Sequence, residues 1–248
     1  MTTSVHPVAS NYWVIVPAAG SGKRMGAEIP KQYLPLNGKP IIAHTLENIL
    51  SWPGLEGVIV AIAADDCEFS SIAAAQDPRV FTVIGGAERA QSVLAALDYL
   101  SARENPATPV LVHDAARPLV ALDDIQKLLA AAPMALLAQP ASDTIKQSQP
   151  GEGGSTVVRQ TLPRDQIWLA QTPQKAPLGL LRDTLMRGLE NDPLAITDEA
   201  SALEQAGYHP ELVAACRSNF KITHPADLIL AEALLRHRAG ELSAGKNV

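Results

Sequence analysis

Apolar runs of strand length alternate along the chain with longer segments in which apolar residues recur every three or four positions. Trp13-Val14-Ile15-Val16 is a short β-branched run that stops at Pro17, with glycines following. Pro40 to Leu50 reads as a helix opened by proline, with Ile42, Leu46, Ile49 and Leu50 on one face. Val58 to Ala63 predicts a buried strand, Asp66 to Ala75 a helix, Val80 to Ile84 a strand and Glu88 to Leu100 a helix. Val110 to Val112, Leu122 to Ala132 and Met134 to Ala138 continue as strand, helix and strand. Such alternation predicts an α/β protein built on a doubly wound, mostly parallel sheet with right-handed crossovers.

The rhythm breaks after Pro140. Asp143 to Gln147 alternates, Pro150-Gly151-Glu152-Gly153-Gly154 turns, and Ser155 to Leu162 alternates again. This is a hairpin with a glycine-rich tip, and a βα layer has no place for it. It predicts a β-arm at about 141–165 projecting from a single domain spanning 1–248. A lone two-stranded arm is marginal in water, so it is expected to pack on a second copy as a homodimer. Helical patterns resume at Pro177 to Leu189, Asp198 to Ala206 and Ala226 to Arg238.

Composition narrows the class. Of 248 residues 47% are hydrophobic and only 4% aromatic, which suits small-residue helices packed closely on a parallel sheet. Lys+Arg 20 against Asp+Glu 26 gives a net charge of −6, which disfavours nucleic acid and anionic membranes as partners. Met1 to Asn11 has neither Lys or Arg nor an apolar core, so no secretory signal is expected there. The apolar, uncharged run Leu128 to Ser142 is broken by two prolines and too short to span a bilayer. Cys67 and Cys216 form no disulfide framework and no zinc quartet, which fits a reducing, cytoplasmic location.

Ligands of parallel α/β sheets bind beyond the carboxyl ends of the strands, so the loops there hold the candidate chemistry. The first is Pro17-Ala18-Ala19-Gly20-Ser21-Gly22-Lys23-Arg24-Met25-Gly26. Its glycines let backbone amides approach phosphate, and Lys23 and Arg24 add cations. A Walker A loop needs Ser or Thr where Arg24 stands, and the spacing GxGxxxG misses the dinucleotide fingerprint. Lys31, in Pro30-Lys31-Gln32-Tyr33, adds a third cation whose repulsion a polyphosphate would relieve. Gly85-Gly86-Ala87-Glu88-Arg89-Ala90-Gln91-Ser92 opens a helix and serves either helix initiation or close approach of a ligand. In His113-Asp114-Ala115-Ala116-Arg117-Pro118, Asp114 either pairs with Arg117 or reaches a metal or hydroxyl while Arg117 meets phosphate. The position at a strand end favours the second. His113 reads as orienting this loop, and the other histidines lack ligand spacing.

Together these loops resemble the 2-C-methyl-D-erythritol 4-phosphate cytidylyltransferase family from Val14 to about Ala231. Asp143-Thr144, Gln171-Thr172-Pro173-Gln174, Thr197-Asp198-Glu199-Ala200-Ser201-Ala202 and Lys221-Ile222-Thr223 extend the resemblance. It implies a Rossmann-like nucleotidyltransferase fold and transfer of CMP from CTP to methylerythritol phosphate, releasing pyrophosphate. By the same resemblance Arg24, Lys31 and Lys221 are catalytic, and Pro17, Ala18, Ala19, Gly20, Ser21, Gly22, Gly86, Arg89 and Ser92 bind the nucleotide. Asp114, Arg117, Thr144, Arg164, Thr172 and Thr197 bind the second substrate, with Thr144 and Arg164 reaching a partner subunit. Mg²⁺, or another divalent cation, is held mainly by the triphosphate oxygens. Many relatives are acidic where this chain has Ala87.

The nearest rival is a cytidylyltransferase for ribitol 5-phosphate or another polyol phosphate. The Pro17-Ala18-Ala19-Gly20 and Thr197-Asp198-Glu199-Ala200 segments favour methylerythritol phosphate. A non-catalytic nucleotide-binding module is expected to lose Arg24, Lys31 or Asp114, and all three are present.

Overall fold

Strand β1 (Tyr12–Pro17) can lie inside a sheet because both of its faces are apolar. Val14 and Val16 enter one core cluster and Ile15 the other, and all three are fully buried. The computed structural model describes residues 11–20 and 29–244. After β1 come a 3₁₀ turn (Lys31–Tyr33), the short hairpin β2 (Pro35–Leu36) and β3 (Lys39–Pro40), and helix α1 (Ile41–Leu50). Asn37 and Gly38, with φ of 48° and 81°, reverse the chain between β2 and β3. The chain continues through β4 (Leu55–Ile62), β5 (Val80–Ile84), α2 (Arg89–Ser101), β6 (Pro109–Val112), α3 (Leu122–Ala130) and β7 (Ala135–Pro140). Strands β8 (Ile145–Pro150), β9 (Thr156–Leu162) and β10 (Trp168–Pro177) precede α4 (Leu178–Asn191), α5 (Glu199–Gln205), β11 (Glu211–Ala214) and α6 (Pro225–Ala244).

Among the described residues one sheet runs in the order β11-β7-β10-β6-β1-β4-β5. Neighbours are parallel except β10, which is antiparallel to both β6 and β7. The expected doubly wound, mostly parallel α/β sheet is therefore present. Ile42, Leu46 and Ile49 of α1 and Ile125 and Leu128 of α3 cover one face. Val93, Leu97 and Leu100 of α2 with Leu181 and Leu185 of α4 cover the other. A third cluster, Leu36, Ile41, Leu119, Ile222 and Ala231, seats α6.

The hairpin expected after Pro140 is β8 paired antiparallel with β9, in a sheet of its own. Gly153 and Gly154, with φ of 64° and 80°, occupy its tip, where a side chain would be strained. The helix expected at Asp66 to Ala75 is corrected. Asp66 accepts from the backbone N–H of Glu68 and Phe69, both at 3.0 Å. That turn competes with helix, and only two 3₁₀ turns form, Phe69–Ser71 and Ala73–Gln76, broken by extended Ile72. Strands β10 and β11 were not foreseen. β10 reads as the polar run Gln171-Thr172-Pro173-Gln174, and its register against β7 shifts there.

Lys175 of β10 is buried, and burial pulls its ammonium below the ordinary lysine range. It donates to the carbonyls of Leu128 at 2.6 Å and Ala131 at 2.9 Å, satisfying the end of α3. Lys175→Met, which fills the space but leaves those carbonyls unpaired, is expected to cost about 2 kcal/mol. The midpoint of urea unfolding, at unchanged slope, measures this, and an unaltered midpoint contradicts the assignment.

Candidate active site

Four loops meet at the carboxyl ends of β1, β5 and β6 and enclose a cleft of about 220 Å³. Pro17 to Gly20 come from the end of β1, and Lys31 and Gln32 from the 3₁₀ turn. Gly86 to Arg89 and Ser92 come from the start of α2, Asp114 to Ala116 from beyond β6, and Lys221 from the segment before α6.

The wall formed by the β1 loop and the start of α2 is assembled largely by backbone contacts. Ala18 N–H donates to the Ala61 carbonyl at 2.7 Å, continuing the sheet one residue past β1. The Ala18 carbonyl accepts from Gln32 Nε2 at 2.6 Å, which pins the turn carrying Lys31 against the loop after β1. Tyr33 donates its hydroxyl to Asp66 and, desolvated and beside that carboxylate, is held well above the usual phenol range. A Cβ on Gly85 would stand 2.6 Å from Ala19 Cβ and 2.7 Å from Ser92 Oγ, so only glycine lets these loops approach. Ser92 Oγ accepts from Gly86 N–H at 3.1 Å and fixes the turn entering α2.

The other side is organised by one buried carboxylate. Asp114 Oδ1 accepts from Arg89 Nε at 3.2 Å. Its Oδ2 meets Arg117 Nε at 3.2 Å and Lys221 Nζ at 3.0 Å. Burial alone would raise the Asp114 pKa, but Arg89, Lys221 and Arg117 outweigh it and hold the carboxyl far below its usual range. Arg89 also grips Glu199 with both terminal nitrogens, at 2.7 and 3.0 Å. Burial pushes this guanidinium down, yet Glu199 and Asp114 hold it above the ordinary arginine value. Arg117 is buried, its pKa lowered chiefly by desolvation, and its Nη1 donates to the Asn219 carbonyl at 2.6 Å.

His113 locks the loop that bears Asp114. Asp114 N–H donates to Thr172 Oγ1 at 3.0 Å, and because His113 Nε2 faces a carbonyl, Nδ1 of the neutral ring is the acceptor of the Thr172 hydroxyl, also at 3.0 Å. His113 Nε2 then carries the hydrogen and donates to the Arg117 carbonyl at 3.0 Å. Complete burial pushes the imidazole pKa down to about 4, which keeps it neutral as this chain of bonds requires.

Of the residues proposed from sequence, Pro17, Ala18, Ala19, Gly20, Lys31, Gly86, Arg89, Ser92, Asp114 and Lys221 line the cleft together. Arg117 and Thr172 stand directly behind Asp114. Thr197 precedes α5, its N–H donating to Ser201 Oγ, and is not among the lining residues described. Thr144 and Arg164 lie at the base of the β-arm, also outside that lining, and Arg164 donates to the Ser142 carbonyl at 2.9 Å. Ser21, Gly22 and Arg24 fall outside the described residues. Sequence reasoning missed three contributors: Glu199, Asn219 and Gln32. Glu199 and Gln32 sat inside quoted motifs, whereas nothing in the sequence marked Asn219.

A glycine-loop cleft at the strand ends of a mixed α/β sheet, with cations gathered around it, defines an α/β nucleotidyltransferase-like protein. The family model for IspD, 2-C-methyl-D-erythritol 4-phosphate cytidylyltransferase, matches residues 12–237, and the chain belongs to that family. Relatives of that name from Shewanella oneidensis and Shewanella loihica are 49% and 47% identical. They align over 95% and 92% of this chain and 92% and 93% of their own. The crystal structure of the Francisella tularensis relative superposes with a TM-score of 0.76 at 38% identity, covering 90% of this chain and 98% of that one.

The buried His113 predicts a pH dependence of stability. Its folded pKa of about 4 lies below the unfolded value near 6.5, so the unfolded chain binds the proton more tightly between those limits. Stability should fall as pH drops through that window, by about 1.4 kcal/mol per pH unit at its steepest. Urea unfolding from pH 7 to 4 should show this slope in wild type, reduced by about one proton in His113→Gln. Equal slopes would contradict the neutral, buried imidazole.

Proposed function

We propose that this chain transfers CMP from CTP to 2-C-methyl-D-erythritol 4-phosphate, giving 4-diphosphocytidyl-2-C-methyl-D-erythritol and pyrophosphate. A phosphate oxygen of the polyol substrate attacks the α-phosphorus of CTP. The bond from that phosphorus to the oxygen bridging the β-phosphate breaks, and its electron pair leaves with pyrophosphate. The nucleophile is already ionised, so no general base is needed. The barrier is the approach of two anions, and catalysis consists of positioning and charge neutralisation. The observation that carries the reading is the convergence of Lys31, Arg89 and Lys221 on one cleft walled by backbone of the β1 and β5 loops.

In this mechanism Lys31 and Arg24 neutralise the α-phosphate as charge develops, and Lys221 does so from the opposite wall. Amides of Ala18, Ala19, Gly20, Ser21 and Gly22 cradle the triphosphate beyond Pro17. Gly86 and Ser92 shape the cytosine pocket, read through backbone because Ala87 offers no polar side chain there. Asp114 takes polyol hydroxyls, supported by Arg117 and Thr172, with Thr197 closing that half. Mg²⁺ would enter with the nucleotide substrate, where it would offset part of the triphosphate charge. Asp114 has little to offer a metal, since Arg89, Arg117 and Lys221 already occupy both of its oxygens.

The enzyme acts as a cytoplasmic homodimer through its β-arm, with Thr144 and Arg164 serving the partner's cleft. The exposed pair Val157 and Val158 on β9 supports docking of the arm on a second copy. Among the described residues no helix is long and apolar enough to cross a membrane.

Pyrophosphate release from CTP should proceed with 2-C-methyl-D-erythritol 4-phosphate and far more slowly with ribitol 5-phosphate, and the reverse preference would overturn the substrate. Lys31→Ala should lower kcat by about 10²- to 10³-fold with unchanged far-ultraviolet circular dichroism. A variant within about threefold of wild type would remove Lys31 from the transition state. Arg164→Ala should raise KM for the polyol phosphate about tenfold, while an unchanged KM refutes the cross-subunit contact.

A further inference from the structure

Glu199 is the one acidic side chain of the Arg89–Asp114 network that no role above uses. It is 1% exposed, at the first position of α5. A carboxylate is rarely kept so far from water without full pairing, because desolvation costs several kcal/mol. Glu199 meets that cost through the bidentate contact to Arg89, whose remaining nitrogen, Nε, holds Asp114 Oδ1. The loop before α5 is itself fixed to β10. Gln174 Nε2 donates to Asp198 Oδ2 at 2.8 Å, and Gln174 Oε1 accepts from Ala200 N–H at 2.8 Å.

Charge shows what Glu199 changes. Arg89, Arg117 and Lys221 all converge on Asp114, which alone would leave two positive charges unbalanced. Glu199 balances one of them and does so from the far side of Arg89. Without it, the freed terminal nitrogens of Arg89 would turn on the nearest carboxylate. A bidentate Arg89–Asp114 pair would then rotate Asp114 away from Arg117 and Lys221.

We propose that Glu199 is a positioning residue for the second-substrate half of the cleft: by occupying both terminal nitrogens of Arg89 it leaves only Nε for Asp114, whose other oxygen stays with Arg117 and Lys221. The inference rests on the transfer reaction proposed above. It singles out one substrate, because the Gln32–Ala18 and Gly86–Ser92 hydrogen bonds that set the nucleotide side form without Glu199. Glu199 reaches the Gly86–Ser92 turn only through Arg89, and Arg89 hands the contact on to Asp114.

The test is steady-state pyrophosphate release with each substrate varied in turn. Glu199→Gln keeps the shape and removes the charge. It should raise KM for the polyol phosphate about tenfold while KM for CTP stays within about twofold. Glu199→Asp keeps the charge but cannot reach both nitrogens. It should raise the polyol phosphate KM about threefold, and it gives the reading if the glutamine variant is insoluble. A merely structural Glu199 would lower the melting temperature and active fraction without separating the two KM values. Equal KM values for wild type and a soluble variant therefore overturn the inference alone. A wild-type chain inactive with both substrates overturns the transfer reaction and the inference with it.

Discussion

Asp114 is the carboxylate around which the rest of the cleft is arranged. It is 6% exposed and could not stay ionised there without the cations that surround it. Two of those cations come from distant parts of the chain, Arg89 at the start of α2 and Lys221 before α6, and the third, Arg117, stands three residues after Asp114 in the same loop. The contacts from Arg89 and Lys221 close long loops, and together with the local Arg117 pair they fix the end of β6, α2 and the approach to α6 relative to one another. The cost of one buried charge becomes a constraint on where these three segments meet.

The loop carrying Asp114 is held just as firmly from behind. Thr172 and His113 pass hydrogen bonds from the Asp114 amide to the Arg117 carbonyl, and Asn219 receives Arg117 and donates to the Thr172 carbonyl at 2.8 Å. These groups are polar and buried, and all but Asn219 Oδ1 are matched donor to acceptor, which holds the loop in a single arrangement. The wall built from the β1 loop and the start of α2 achieves order differently, with small residues and backbone. Ala18, Ala19, Gly85 and Gly86 leave room for main chains to come within bonding distance of a ligand. A protein of net charge −6 thus holds a locally cationic cleft, since its acidic excess lies elsewhere.

Most of the architecture was legible because burial on both faces leaves a dense apolar signature in a central strand. β1, β4 and β6 follow that rule, the edge strand β5 showed through its β-branched run, and the arm was legible from its glycine tip and alternation. β10 was not. It is a central strand carrying Lys175, Gln174 and Gln171, all buried, because each has a specific hydrogen-bond partner far away in sequence. The stretch from Asp66 to Ala75 failed for the opposite reason. A helical apolar spacing was overridden by a local turn at Asp66.

By itself the sequence determined the alternation of elements, the glycine loop and the set of motifs that place the chain in its family, because these depend on local composition and order. It also marked Asp114 and Arg117 as a pair with two possible readings. Only the tertiary structure decided that both readings share the same atoms: Asp114 faces the cleft while pairing with Arg117 behind it. Only the fold brought Glu199 to Arg89 across 110 positions, and Asn219 to Arg117 across 102. Partners that distant leave no local pattern, since what joins them is the need of buried charge for a counter-charge.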